Sequence, residues 1–210
     1  MRYFICILLL ITITASPQAQ DKNGGSFSLG VRSTVSTFSH EDFGLGTGGQ
    51  FRIQLNERVN SDWFADYITI NNSNGVRSEY YHIGWSILFY PFKEKSFPKL
   101  VQPYIVAGHC FDYNKKTLIS TPTISEDRWG SAVQAGIGTH LNLTKRFDIS
   151  LTTQYMTHLT NELEVLETVT TDGHNHSHKT VTEIKAHNHS GLEGHLLATI
   201  SLNYKIGKLW

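Results

Sequence analysis

The stretch Trp129 to Tyr155 constrains this chain most. Its odd positions Val133, Ala135, Ile137, Thr139, Leu141 and Leu143, then Phe147, Ile149, Leu151, Thr153 and Tyr155, are apolar or nearly neutral. Its even positions Gln134, Gly136, Gly138, His140 and Asn142, then Asp148, Ser150, Thr152 and Gln154, are polar or glycine. Side chains on a strand alternate between faces, so this is period-2 amphipathicity sustained through two successive runs. Thr144, Lys145 and Arg146 form a tight polar turn between them. Strands of soluble proteins are most often about five or six residues long. A tilted strand crossing a bilayer needs about nine to eleven. The two runs have the longer size and one clean apolar face each, which is the signature of a membrane-spanning hairpin.

The start of the chain reads as a targeting segment. Arg2 is followed by the apolar run Tyr3 to Thr14 and a small-residue exit from Ala15 to Gln20. The apolar run is too short to span a bilayer as a helix, so residues 1–19 are expected to be a signal peptide cut after Ala19. Residues 20–210 then form one domain, with no Pro/Ser-rich linker dividing it. Cys6 leaves with the signal, and Cys110 alone cannot make an internal disulfide. Eighteen basic residues balance eighteen acidic ones, and nothing suggests a nucleic-acid partner.

The same alternation recurs along the chain. Ser26 to Phe38 places Phe27, Leu29, Val31 and Val35 opposite Ser28, Gly30, Arg32 and Thr34. Gly49 to Glu57 sets Phe51, Ile53 and Leu55 against Gln50, Arg52 and Gln54. Glu79 to Tyr90 sets Tyr81, Ile83, Trp85, Ile87 and Phe89 against Tyr80, His82, Gly84 and Ser86. Gly194 to Ile206 sets Leu196, Ala198, Ile200 and Leu202 against Leu197, Thr199, Ser201 and Asn203. Trp63 to Ile70 and Val101 to Tyr113 are strand-like, but their faces cannot be assigned. Ser39 to Gly48 and Asn114 to Arg128 read as loops, and a long loop covers about 161–193. The expectation is an all-β chain: an eight-stranded antiparallel up-and-down transmembrane β-barrel. Its turns are short at one end, its loops long at the other, and aromatic residues gather at both strand ends.

QPYIVAG at 102–108, AGIGTHLNLTKRFDISL at 135–151 and a last strand ending near Trp210 resemble the small eight-stranded outer-membrane β-barrel family. That resemblance implies export to the outer membrane of a Gram-negative-type cell, contact with outer-membrane lipid, and assembly by a barrel-insertion machinery. His158-Leu-Thr160-Asn161 locally resembles the His-x-Ser-Asn element of lipid A deacylases, which are also eight-stranded barrels. There, His and Ser hydrolyse an acyl ester. Here Thr160 stands where the nucleophilic Ser belongs, and the strand parity puts His158 on the interior face.

Eight strands enclose a lumen just wide enough to be filled by side chains. The lumen is expected to hold Arg32, Arg52, Gln54, His82, Gln134, His140, Asp148 and Gln154 as a plug rather than a pore. The long loop carries His174, His176, His178, His187 and His189, five of eleven histidines within sixteen residues. Neutral imidazoles two apart on an extended segment share a face and bind Zn, Ni or Cu. The alternative is a solvated polar loop of biased composition. Leu163 to Thr171 and Lys179 to Lys185 alternate around the Asp172-Gly173 turn signal, so a protruding hairpin is expected. Its tip, His174, His176 and His178, is the candidate metal site, and no catalytic residue is assigned. The expected function is non-enzymatic: a structural, surface-interaction or metal-capturing role through the outer loops. The alternative is a lipid A acyl-ester hydrolase using His158 and Thr160.

Overall fold

Ten strands, and no helix, are found among the described residues of a computed structural model, which are 24–37, 43–71, 75–92, 100–159, 163–171, 177–186 and 194–210. Eight strands close into one antiparallel barrel: β1 (Ser26–Thr37), β2 (Phe43–Gln54), β3 (Val59–Asn71), β4 (Val76–Phe89), β5 (Val101–Leu118), β6 (Ser125–Asn142), β7 (Phe147–His158) and β10 (Gly194–Lys208). From β1 to β7 each pairs with the next strand in the chain, and β7 pairs with β10. β10 closes the ring on β1 in a register from Ser26↔Lys208 to Thr37↔Leu196. The other two, β8 (Leu163–Thr171) and β9 (Ser177–Ala186), pair with each other as a separate two-stranded sheet.

The alternation read from the sequence is the division between lumen and exterior. Val31, Leu45, Ile83, Ile105, Phe111, Ile137, Ile200 and Leu202 lie exposed on the outside. Arg32, Arg52, His82, Gln134, His140, Asp148 and Gln154 are buried inside, and Gln54 is half-buried on the same face. Aromatic rings line the exterior near the strand ends. Tyr67, Tyr81, Tyr113 and Trp129 touch in sequence across β3 to β6, with centroids 4.8, 5.7 and 5.1 Å apart. Toward the other end, Phe51 stacks on Trp63 at 5.9 Å and Phe147 lies 4.9 Å from Tyr204. An apolar band between two aromatic belts is what a bilayer requires of a barrel exterior.

Several expected boundaries move. β2 begins at Phe43, so Phe43 to Gly48 is strand rather than loop: Phe43 and Leu45 continue the outward row above Phe51. Residues 114–128 are mostly strand as well. β5 and β6 pair without interruption from Val101↔Leu141 to Thr117↔Ser125 and turn only over residues 119–124. Lys115, Lys116, Glu126, Asp127 and Arg128 made that segment read as solvated loop. Polar residues on both faces of a strand are what a hairpin rising past the aromatic belt would carry. The connection from β4 to β5, residues 90–100, is also longer than the one from β3 to β4, so short turns do not mark one end uniformly.

The two strands whose faces the sequence leaves open are resolved by the lumen's apolar layer. On β3 the inward residues include Phe64, Ile68 and Ile70; on β5 they include Tyr104, Val106 and Cys110. Both faces of these strands are therefore apolar, and alternation vanishes. Gly138 shows how tightly the lumen is filled: a Cβ there would sit 2.4 Å from the Tyr104 ring. Two tests follow. Ile200→Arg should lower the stability of the vesicle-embedded barrel by about 2–4 kcal/mol in a urea titration, because it puts a cation mid-strand against lipid. Gly138→Ala should destabilise measurably in the same assay, and Tyr104→Ala in that background should relieve part of the loss.

Candidate functional site

Polar side chains enter the lumen wherever the alternation demands an inward residue that is not apolar, and they gather into two clusters. Toward the end holding the termini, Arg52 lies 3.4 Å from Asp148 and 3.6 Å from Asp62, and donates to Ser150 Oγ at 3.2 Å. Asn203 Nδ2 donates to Asp148 at 2.9 Å, and Gln50 Nε2 donates to Asn203 Oδ1 at 2.6 Å. His140 bridges Ser150 at 2.7 Å and Tyr90 at 2.8 Å. A cavity of about 70 Å³ opens here between Arg52, Tyr90, His140, Asp148 and Lys205. At roughly 10–15 Å³ per water, it holds a few water molecules and nothing the size of a metabolite. In mid-lumen Arg32 pairs with Asp66 at 3.0 Å and lies over the Phe64 ring at 4.5 Å.

The second cluster lies toward the long-loop end. Asp112 Oδ2 is 2.8 Å from His158 Nδ1, and Asp112 Oδ1 is 3.3 Å from His82 Nε2. His158 Nε2 is 3.1 Å from His195 Nδ1. A carboxylate only accepts, so His158 donates from Nδ1; a neutral His158 then accepts at Nε2 from His195. All four side chains are buried. They sit among Ile68, Tyr80, Cys110, Met156 and Leu197, which form one apolar cluster. Its two sulfurs, Cys110 Sγ and Met156 Sδ, are 4.0 Å apart.

This arrangement decides the fate of the sequence candidates. His158 faces the lumen, fixed by Asp112 and His195, and so cannot meet a lipid in the bilayer. Thr160 and Asn161 lie outside the described residues. Of the tip histidines, His174 and His176 also lie outside them; His178 is on β9, paired in register with Thr170. His187 and His189 lie outside as well. Among the described residues, no group of three or more His, Cys, Asp or Glu side chains is arranged to hold a metal ion. Asp112 was missed in the sequence because β5 hides its faces. His195 was visible by parity with Leu197, which is also inward.

A closed antiparallel ring with a filled lumen, an apolar exterior and two aromatic belts defines the class: a small eight-stranded transmembrane β-barrel. No family model matches this sequence, and no curated protein does. Solved structures do match. A major outer membrane protein from Thermus thermophilus superposes with a TM-score of 0.55 at 9% identity, over 86% of this chain and 99% of its own. Neisserial surface protein A superposes with a TM-score of 0.51 at 12% identity, over 88% of this chain and 98% of its own. At such identities the likeness is one of fold: this chain has the architecture of the small outer-membrane barrels.

The lumen clusters make a clear expectation. Arg52→Met strands two buried carboxylates, Asp62 and Asp148, while Lys205 remains 3.7 Å from Asp148. Removing one partner of a buried pair costs about 3–5 kcal/mol. The loss should appear as an earlier unfolding midpoint in vesicles, and Arg52→Lys should recover only part of it, since Lys cannot reach both carboxylates as a fork does.

Proposed function

We propose that this is an outer-membrane barrel whose working part is the β8–β9 hairpin, held at the cell surface as a contact and metal-capturing element. The observation that carries the reading is the hairpin's register, from Leu163↔Ala186 at its base to Thr171↔Ser177 at its tip. The hairpin is tied to the barrel's outer end: Lys116 of β5 donates from Nζ to the Leu163 carbonyl oxygen. Leu163 and Ile184 are buried, so the base has an apolar foot. The exterior belt supports a membrane location, and export through a signal segment would deliver the chain to the outer membrane. Outer-membrane lipid and the barrel-insertion machinery are its expected partners there.

In this reading the histidines fall into two groups. His178 stands opposite Thr170 next to the tip, while residue 187 follows Ala186 at the base. Eight residues of strand from 178 to 186 span on the order of 26 Å at the strand rise. A metal held at the tip would take imidazoles from His174, His176 and His178, with Asp172 as an oxygen ligand. His187 and His189 would be out of reach. Ordering a turn around the ion costs about 1–2 kcal/mol of backbone entropy per fixed residue, so affinity should be modest. Imidazole must be neutral to ligate, so binding should fall as pH drops through about 6.5. Lipid A hydrolysis through His158 and Thr160 gains no support, since His158 is turned into the lumen.

Zinc or nickel titration of the folded barrel tests this. Replacing His174, His176 and His178 by Ala should abolish binding, and replacing His187 and His189 should leave it within about twofold. Equal loss in both variants would mean that the two groups converge, and the tip site would be wrong.

A further inference from the structure

The barrel wall forks where the hairpin leaves it. β7 and β10 pair from Phe147↔Tyr204 to Thr157↔Gly194, and at that last rung the chain departs for β8 and returns from β9. Two histidines flank the rung: His158 is the last residue of β7 and His195 the second of β10. They are not register partners, yet their side chains meet inside the wall. His158 Nε2 lies 3.1 Å from His195 Nδ1, with ring centroids 4.9 Å apart and planes 28° from parallel. Both rings are buried. The nearest charges come from β5 and β4: Asp112 is 2.8 Å from His158 Nδ1, and its other oxygen is 3.3 Å from His82, whose ring stacks 6.2 Å from that of His195. Tyr80 and Cys110 lie in the same layer. Deeper in the lumen, Arg32 of β1 and Asp66 of β3 pair with each other at 3.0 Å. β6 sets Ala132 opposite His158, and the next charge on that inward face is Arg128. β2 brings no charge to this end, since its inward positions there are Gly44 and Gly46.

We propose that His158 and His195 form an acid-sensitive clasp, which holds the fork closed at neutral pH and releases the foot of the β8–β9 hairpin on acidification. Their hydrogen bond needs one donor nitrogen and one acceptor nitrogen. When both rings are neutral, His195 Nδ1–H donates to His158 Nε2. With one proton added, His158 donates from both nitrogens, to Asp112 and to His195 Nδ1, and the proton of His195 sits on Nε2. With two added, both facing nitrogens carry protons. The bond is then lost, and two like charges stand on rings 4.9 Å apart. Asp112 balances one of them. It cannot balance both, because His82 draws on its other oxygen.

The direction follows from proton linkage. An open fork exposes both rings to water, so each can hold its own proton, and the open state binds more protons than the closed one. Its population therefore rises as pH falls, by up to about tenfold per pH unit for one extra proton. An exposed imidazole titrates near about 6.5, so the rise begins below that pH. The place of the pair gives the change its reach. The strands on either side of the last rung are the two that lead into the hairpin, so loosening Thr157↔Gly194 and Met156↔His195 frees its foot. The inference does not rest on metal capture, because none of the tip histidines belongs to the clasp.

The test is amide hydrogen exchange on the full mature chain folded in vesicles, with a chelator present and rates corrected for the intrinsic pH dependence of exchange. Between about pH 7.5 and about pH 5, wild-type protection at residues 156–158 and 194–196 should fall by about tenfold or more. Residues 148–152, further along β7, should keep theirs. His195→Asn puts an amide donor where Nδ1 stood and takes no charge, so its fork should stay protected at both pH values. His158→Gln, also without charge, should lose the pH response as well. Replacing His174, His176 and His178 by Ala should leave the response intact, which separates the clasp from the metal reading. A wild-type fork that keeps its protection at the lower pH overturns the proposal. So does a response that persists undiminished in either uncharged variant, one that disappears with the tip histidines, or one that extends equally to residues 148–152.

Discussion

Everything in this molecule depends on the pairing of β1 with β10. A backbone N–H or C=O left unpaired in hydrocarbon costs several kcal/mol, so a sheet can cross a bilayer only without edges. The register from Ser26↔Lys208 to Thr37↔Leu196 removes the last two edges. Once the ring is closed, each inward side chain must share a narrow lumen with seven other strands. Each outward one meets lipid. The strict alternation of the sequence is the consequence of that one closure.

The lumen then solves an electrostatic problem. Arg32 and Arg52 face Asp62, Asp66 and Asp148, and Lys205 reaches Asp148 from the rim. Asp112 has no arginine partner among the ion pairs of the described residues. His82 and His158 take its two oxygens instead. The histidine cluster is thus explained by the need to solvate one buried carboxylate, and it requires neither a metal nor a substrate. That distinction matters, because histidines in a membrane barrel invite a catalytic reading. Inside this one they hold charge in place.

The architecture was legible in the sequence because closure writes itself as period-2 patterning. β1, the later half of β2, β4, β6, β7 and β10 each showed a clean face, and the inward positions of Arg32, Arg52, His82 and Asp148 followed by counting. β3 and β5 were illegible because Phe64, Ile68, Ile70, Tyr104, Val106 and Cys110 make their lumen faces as apolar as their lipid faces. The cost fell on the site. With β5 unassigned, Asp112 could not be placed inside the lumen. Asp112 on β5 and His158 on β7 are not neighbours in the sheet and meet only across the lumen. No local motif announces such a pair. The charged residues from Lys115 to Arg128 misled in the opposite sense, since strands that rise past the membrane no longer need an apolar face.

The most direct test of the account is the closure itself. Val31 and Leu202 are register partners on the outer wall. With Cys110 replaced by Ser, a chain carrying Val31→Cys and Leu202→Cys should be cross-linked in native membranes by a short bismaleimide. The cross-linked chain should show a single shifted band on a denaturing gel. A pair of cysteines at Val31 and Ile137, which lie on separated strands, should not be joined. If Val31 and Leu202 fail to cross-link while both react singly with maleimide, the first and last strands are not neighbours and the barrel is not closed as described.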